Sequence, residues 1–357
     1  MTLKDRIIVE DYRKNREDFI RLGDLVHEKL TKLAESAGVR TLGIEHRVKQ
    51  EASLIGKLDR KGDTINVFED LTDILGARII CYFSDDVDKL GKLVEKEFVI
   101  YPELSVDKRA ILKPSEFGYM SLHYIASLPQ DEGVDEALTS KKFEIQIRTI
   151  LQHAWSDINH DMGYKSEFGV PDECAREFSK LSCLLEVADD SFVRVRDKMK
   201  AYTDDIRDKI KNDQAEGVPM NMVSLKEYVL HNTKMQEFLS SLAALCGAEI
   251  SIIDPESYVD QLKWLGKETI GDVQNMLDED RDLAYKLAVK SLTASDLDIL
   301  SSNVGLRFLT RAELLNKGYT HKQAEEFLAI QTGREDRGQR QAKYLYDTYE
   351  KLKEQET

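Results

Sequence analysis

Along the run Phe143-Glu144-Ile145-Gln146-Ile147-Arg148, apolar and polar side chains alternate. In a strand, successive side chains point to opposite faces. Glu144, Gln146 and Arg148 therefore share one face, and Phe143, Ile145 and Ile147 the other. A solvated sheet face accounts for such a polar side without any chemistry. A second carboxylate changes the weight: Asp73, in Asp70-Leu71-Thr72-Asp73, immediately precedes a hydrophobic strand that starts near Gly76. Two carboxylates at strand positions of one sheet are a usual way to hold Mg2+, which takes hard oxygen ligands and keeps water or phosphate as its other partners. Read alone, Asp73 is also compatible with a plain turn.

A cationic cluster lies upstream, with Arg47, Lys49, Lys57, Arg60 and Lys61 in HRVKQEASLIGKLDRKG. With a helix beginning near Gln50, Ser53 and Lys57 stand one turn apart on one face, and Arg47 and Lys49 share a side of the extended segment before it. Arg as a bidentate or stacking group and Lys as a point charge suit a polyphosphate. A solvated basic helix face is the plainer alternative. In Gly118-Tyr119-Met120-Ser121-Leu122-His123, a Tyr just after a Gly could present its ring to a nucleobase, or pack in the core. Gly56-Lys57 lacks the upstream Gly of a phosphate-binding loop, which excludes a P-loop. His160-Asp161 has no set of partner His and Asp residues for a two-metal hydrolase.

The elements that must position these residues are legible in outline. Helical spacing of Tyr12, Phe19, Leu22, Leu25, Val26, Leu30 and Leu33 predicts a helix over 10–36. The run ARIICYF at 77–83 suits a buried strand. Further strands are expected near 97–101, 120–127 and 143–148, with helices over 85–96 and 150–163, giving an α+β unit with a mixed sheet of about five strands. After Pro171, Cys174, Phe178, Leu181, Leu185, Ala188, Phe192, Val195, Met199, Tyr202 and Ile206 alternate four and three apart. That seam predicts a long amphipathic helix over 172–211 that packs on its own domain or pairs with another subunit.

The run NDQAEGVP predicts a linker over 213–219 between a first domain, 1–212, and a mainly helical second domain, 220–333, followed by a charged tail, 334–357. Capping boxes are expected at Ser224–Glu227, Thr310–Glu313 and Thr320–Gln323, with Gly318 as a helix stop.

Composition narrows the class. The 357 residues are 41% hydrophobic and 33% charged with six Pro, as in a helix-leaning globular protein and unlike a disordered one. No stretch approaches the ~20 apolar residues of a membrane span, and the charged first thirty residues lack a signal-peptide core, so a cytoplasmic protein is expected. The four cysteines have no metal-type spacing and read as buried thiols. A net charge of −15 disfavours a broad nucleic-acid surface.

Taken together, the motifs resemble the synthetase domain of the RelA/SpoT family, the (p)ppGpp synthetases, over residues 40–165. They are Arg47-Val48-Lys49 with Ser53 and Lys57, Asp70 to Ile79 (DLTDILGARI), Gly118 to His123 (GYMSLH), and Glu144 to Thr149 (EIQIRT) followed by His153, Trp155 and His160. The resemblance implies a nucleotidyltransferase-like mixed sheet and transfer of the β,γ-pyrophosphoryl group of ATP to the 3′-hydroxyl of GTP or GDP, giving (p)ppGpp and AMP with Mg2+ as cofactor. It implies that Arg47 and Arg78 flank the adenine, and that Lys49, Ser53, Lys57 and Arg60 hold the ATP phosphates. On the same resemblance Asp73 and Glu144 would bind Mg2+, Glu144 would also act on the 3′-hydroxyl, and Tyr119 would stack on the acceptor base with Lys113, His123, Gln146 and His153 nearby. The family's Lys-Pro-Asn-Gly-Tyr run is replaced here by Lys113-Pro114-Ser115-Glu116-Phe117-Gly118-Tyr119, which leaves the acceptor less secure than the reaction. An adenine nucleotide or a tRNA 3′ end, as in related toxins, is the alternative acceptor, and a catalytically inactive nucleotide sensor is a third reading. The acidic balance disfavours tRNA, and DNA is disfavoured with it. No hydrolase half is visible. A homo-oligomer is expected, and self-inhibition or a bound regulator suits the second domain.

Overall fold

Thr2 and Asp5 cap each other at the start of a 34-residue helix, α1 (Leu3–Ser36), which therefore begins before the expected residue 10. Its stripe of Ile8, Tyr12, Phe19, Leu22, Val26 and Leu30 is fully buried. The computed structural model describes residues 2–61, 64–107, 121–130, 134–163, 172–293, 295–331 and 333–356. They fall into two units, 1–196 and 197–357.

The first unit is built on a six-stranded sheet. Its strands are β1 (Thr41–Val48), β2 (Leu75–Cys81), β3 (Val99–Ile100), β4 (Val106–Asp107), β5 (Leu122–Ser127) and β6 (Phe143–Thr149). The order is β1-β2-β6-β5-β3, with β4 also paired to β5. Only β2 and β6 run parallel, so the sheet is mixed. The sequence reading lacks β1 as a strand. Gly43, Glu45, His46 and Arg47 dilute its apolar signal because it is an edge strand, paired on one side only.

Alternation divides the sheet into two faces. Ala77 and Ile79 of β2, Phe143, Ile145 and Ile147 of β6, and Tyr124 of β5 are buried in one core with α1 and with α3 (Ser84–Glu97). At Gly23, α1 comes so near β1 that a Cβ would lie 2.5 Å from the His46 ring, so the helix approaches only because that side chain is missing. The opposite face carries the polar residues.

Helix α5 (Ile150–Gly163) runs straight out of β6, and α6 (Asp172–Lys211) follows. Between β5 and β6 lies the short α4 (Glu136–Thr139), and α2 (Glu51–Lys61) follows β1. Thr149 joins the ends of β6, α5 and α6. Its hydroxyl donates to Asp189 Oδ2 at 2.7 Å, while Thr149 and Gln152 exchange reciprocal side-chain bonds with each other's backbone N–H. Burial pushes the Asp189 carboxyl up to about 6. Much of the predicted seam on α6 is not covered within the first unit: Leu181, Phe192 and Val195 are exposed. Of the cysteines, Cys81 is buried, whereas Cys174 is exposed and Cys183 and Cys246 are half-buried.

The second unit is helical, with one two-stranded parallel pair, β7 (Glu249–Ser251) and β8 (Ile299–Ser301). Its helices are α7 (Met222–His231), α8 (Thr233–Ala243), α9 (Glu256–Trp264), α10 (Ile270–Leu292), α11 (Val304–Asn316), α12 (His321–Ile330) and α13 (Glu335–Glu356). Thr320 and Gln323 form the expected capping box, and Gly318 has φ +70° at the preceding stop. The cap at Ser224 is displaced: Asn221 is the capping residue and Ser224 its third-position partner. Thr310 lies inside α11, where its hydroxyl donates to Leu306 O at 2.8 Å. Within 212–219, Ala215 and Val218 are buried, and in α13 so are Ala342 and Leu345.

Candidate active site

The polar face of the sheet forms a pocket of about 480 Å3, whose walls include Arg47, Lys49, Ser53, Asp73, Arg78, Glu144 and Gln146. Register explains the gathering. Arg47 pairs with Gly76, and Gly76 with Glu144. Two residues along, Glu45 pairs with Arg78, Arg78 with Gln146, and Gln146 with His123. Every second residue of four strands thus points into one region. Gly76 leaves its centre open: a Cβ there would meet nothing within 4 Å.

Asp73 sits two residues before β2, and the end of the β1–β2 ladder brings Lys49 to it. Lys49 N donates to Ile74 O at 2.8 Å, and the buried Tyr12 hydroxyl donates to Lys49 O at 2.6 Å. Lys49 Nζ then reaches Asp73 Oδ2 at 2.9 Å. The second oxygen is taken by Lys57 Nζ at 2.8 Å, from α2, which is anchored by the buried Leu54 and Leu58. Burial pushes the Asp73 carboxyl up, but the hydrogen bonds and charges of Lys57 and Lys49 outweigh it and hold the group below its ordinary range. Ser53 lies one turn from Lys57 on the same helix, as its spacing requires. Arg60 is exposed and lies outside the pocket lining.

Glu144 is held on both oxygens. His123 Nδ1 lies 2.8 Å from Oε1, and Gln146 Nε2 donates to Oε2 at 2.9 Å. Gln146 is oriented in turn by Arg148, a 2% exposed guanidinium whose Nη2 donates to Gln146 Oε1. Burial raises the Glu144 carboxyl and the Asp73 charge raises it further, yet His123 and Gln146 leave it below its ordinary range. Both acids are therefore carboxylates at neutral pH, close enough for each to feel the other.

His123 also lines a neighbouring pocket of about 590 Å3 with Lys92, Ser105 and Asp107. The His123–Glu144 bond thus joins the two pockets. Lys113 and Tyr119 lie outside the described residues. His153, on α5, has its Nδ1 3.7 Å from Asp157 Oδ1, and burial lowers its basicity. It does not line the pocket that holds Glu144. The sequence reading assigns no role to Glu45, Gln50 or Arg148. Alternation along β1, once seen as a strand, puts Glu45 beside Arg47, and the same alternation in β6 puts Arg148 beside Gln146.

The donor set suits a hard cation that brings its own phosphate ligands: two ionised carboxylates, with Lys ammonium groups already drawn to one of them. Among the described residues there is no cluster of three or more His, Cys, Asp or Glu that would make a closed metal cage. A site completed by substrate phosphates needs none.

Residues 46–168 match the family described as the region found in RelA / SpoT proteins. GTP pyrophosphokinase YjbM of Bacillus subtilis (strain 168) is 30% identical over 159 residues, covering 43% of this chain and 71% of that protein. GTP pyrophosphokinase YwaC of the same organism is 31% identical over 161 residues, covering 43% of this chain and 74% of that protein. Among solved structures, that of the small alarmone synthetase 1 from Bacillus subtilis is 23% identical and matches 54% of this chain and 99% of its own, with a TM-score of 0.45.

Proposed function

The chain belongs to the RelA/SpoT family, and we propose that it is a GTP pyrophosphokinase, moving the β,γ-pyrophosphoryl group of ATP to the 3′-hydroxyl of GTP or GDP. One observation carries the reading. Glu144, held ionised by His123 and Gln146, shares a pocket with Asp73 and with the Arg47, Lys49 and Arg78 cations.

In this reading ATP occupies the open space over Gly76. Arg47 and Arg78 flank the adenine, while Lys49, Ser53 and Lys57 take the phosphates, with Arg60 at the far end of α2. Mg2+, bound by Asp73 and Glu144 together with the triphosphate, would neutralise phosphate charge. Lys49 and Lys57, now on Asp73, are placed to exchange that carboxylate for phosphate oxygens. The acceptor enters from the His123 side, with Lys113, Tyr119, Gln146 and His153 as the residues that would bind it. Its 3′ oxygen attacks the β-phosphorus, the bond from that phosphorus to the oxygen bridging to the α-phosphate breaks, and AMP leaves. The hydroxyl proton passes to Glu144.

Residues 1–212 would then serve as the synthetase region, with 220–333 as a helical region that takes a regulator. The exposed Leu181, Phe192 and Val195 on α6 would be covered by a second copy of the chain. A monomer mass by light scattering would rule that out. Among the described residues no helix is long and apolar enough to cross a membrane, in keeping with a cytoplasmic enzyme.

The test is AMP release from ATP and Mg2+ with GTP, GDP, ATP or tRNA offered separately, and Glu144→Gln as control. AMP that appears only with a guanine nucleotide, and disappears in the variant, is the expected result. AMP with an adenine nucleotide or tRNA alone would reassign the acceptor, and none with any acceptor would mean either a sensor or an enzyme held off by its second domain, which a chain ending near Asp213 tells apart.

A further inference from the structure

In the second unit, α10, α11 and α13 enclose a separate cavity of about 170 Å3. Leu287, Phe308 and Leu345 make much of its wall apolar. Against them stand two cations from one face of α11, Arg307 and Arg311, four residues apart. Arg311 is 9% exposed. Its Nη1 donates to Arg307 O at 3.0 Å and its Nη2 to Gln341 Oε1 at 3.1 Å, both neutral acceptors. Among the described residues, no carboxylate forms an ion pair with Arg307 or Arg311. A third arginine on the wall, Arg340, is already matched by Asp336 Oδ2 at 2.8 Å. Burial and the like charge of Arg307 pull the Arg311 guanidinium down to about 10.

A buried cation without a counter-ion is costly, and a long apolar side chain would fill the same space more favourably. Helix packing therefore does not account for Arg311 at this cavity, whereas an anion would compensate it together with the exposed Arg307 one turn away. We propose that this cavity binds a small organic anion, a phosphate or carboxylate on a compact apolar body, with Arg307 and Arg311 taking its charged head. An apolar protein cavity of about 150 Å3 is enough to take up a benzene ring. At about 170 Å3 the cavity therefore has room for an anionic group on a short apolar portion. The site shares no residue with the pocket around Glu144, so the inference stands apart from the proposed reaction.

Calorimetric titration of the full chain with phenyl phosphate, benzoate and inorganic phosphate tests it, alongside Arg307→Ala and Arg311→Met. At least one of the three probes is expected to bind, and each variant to weaken that binding about tenfold or more, as for loss of a charged hydrogen bond. Arg311→Met should also keep or raise the Tm, because it removes an uncompensated buried charge. Arg307→Ala, at an exposed position, provides the readout if Arg311→Met fails to fold. Three results would overturn the proposal: no binding of any probe at millimolar concentration, binding unchanged in Arg307→Ala, or a lower Tm in Arg311→Met with probe affinity retained.

Discussion

Glu144 and His123 are locked together across two antiparallel strands, with Oε1 and Nδ1 2.8 Å apart. The pair sits where the two pockets of the sheet meet, and it holds the carboxylate ionised in a site that would otherwise neutralise it. A general base contributes about 10²–10⁴ in rate. Glu144→Gln should therefore lower kcat by at least that factor while leaving Tm nearly unchanged, since the amide can still bond His123 and Gln146. A normal kcat in Glu144→Gln, checked by AMP release, would remove Glu144 from the chemistry.

Lys57 reaches Asp73 from a helix and Lys49 from the end of a strand ladder. If both hand over to phosphate when nucleotide binds, Lys57→Met should raise KM for ATP about tenfold or more, the usual cost of a lost charge-assisted hydrogen bond. KM for the guanine nucleotide should stay near its starting value. Equal effects on both substrates would mean that Lys57 only positions Asp73.

Gly76 offers a cleaner probe of the ATP site because its added Cβ meets no atom within 4 Å. Gly76→Val suits a strand and should leave Tm unchanged or slightly higher. Its methyl groups would occupy the space between Arg47 and Glu144, so ATP binding should be lost. Retained ATP affinity, measured by calorimetry, would place the nucleotide elsewhere on the sheet.

How much of this was legible follows from what each element needs. Strand β6 could be read from alternation alone because one face is wholly buried and the other polar, so Glu144 and Gln146 were placed together from the start. The edge strand β1 could not, since Glu45, His46 and Arg47 answer to the pocket and to Asp24 on α1 rather than to a core. Asp73 and Lys49 meet through ladder register, which spacing does not reveal. Arg148 looked like a surface residue of a polar face and is instead buried behind Gln146. At Thr310 the capping pattern misled, because a buried helix interior can satisfy a hydroxyl with the carbonyl one turn back.

The second unit carries a titrating pair whose effect on stability has a definite sign. Asp280 and Glu313 are almost fully buried neighbours on α10 and α11, and Asp280 Oδ2 and Glu313 Oε2 each lack a hydrogen-bond donor. Asn316 Nδ2 donates to Asp280 Oδ1 at 2.6 Å, Lys267 Nζ reaches Glu313 Oε1 at 2.6 Å, and Glu279 and Lys317 lie just outside. Burial, with the neighbouring Glu313 carboxylate, pushes the Asp280 carboxyl from its ordinary 3.8 up to about 7. Between those two values the folded chain holds a proton that the unfolded chain has released, so this group costs stability progressively as pH rises from 3.8 to about 7. Burial raises the Glu313 carboxyl, but Asp280 and Lys267 outweigh it and hold the group below its ordinary range. Asp280→Asn fixes the protonated pattern: its amide can donate to Glu313 while its oxygen still accepts from Asn316. The variant should be more stable than the parent, and the gap should widen by on the order of 2 kcal/mol between pH 5 and pH 8. Denaturant unfolding at the two pH values measures it, and a gap that stays constant would show that the pair does not share a proton.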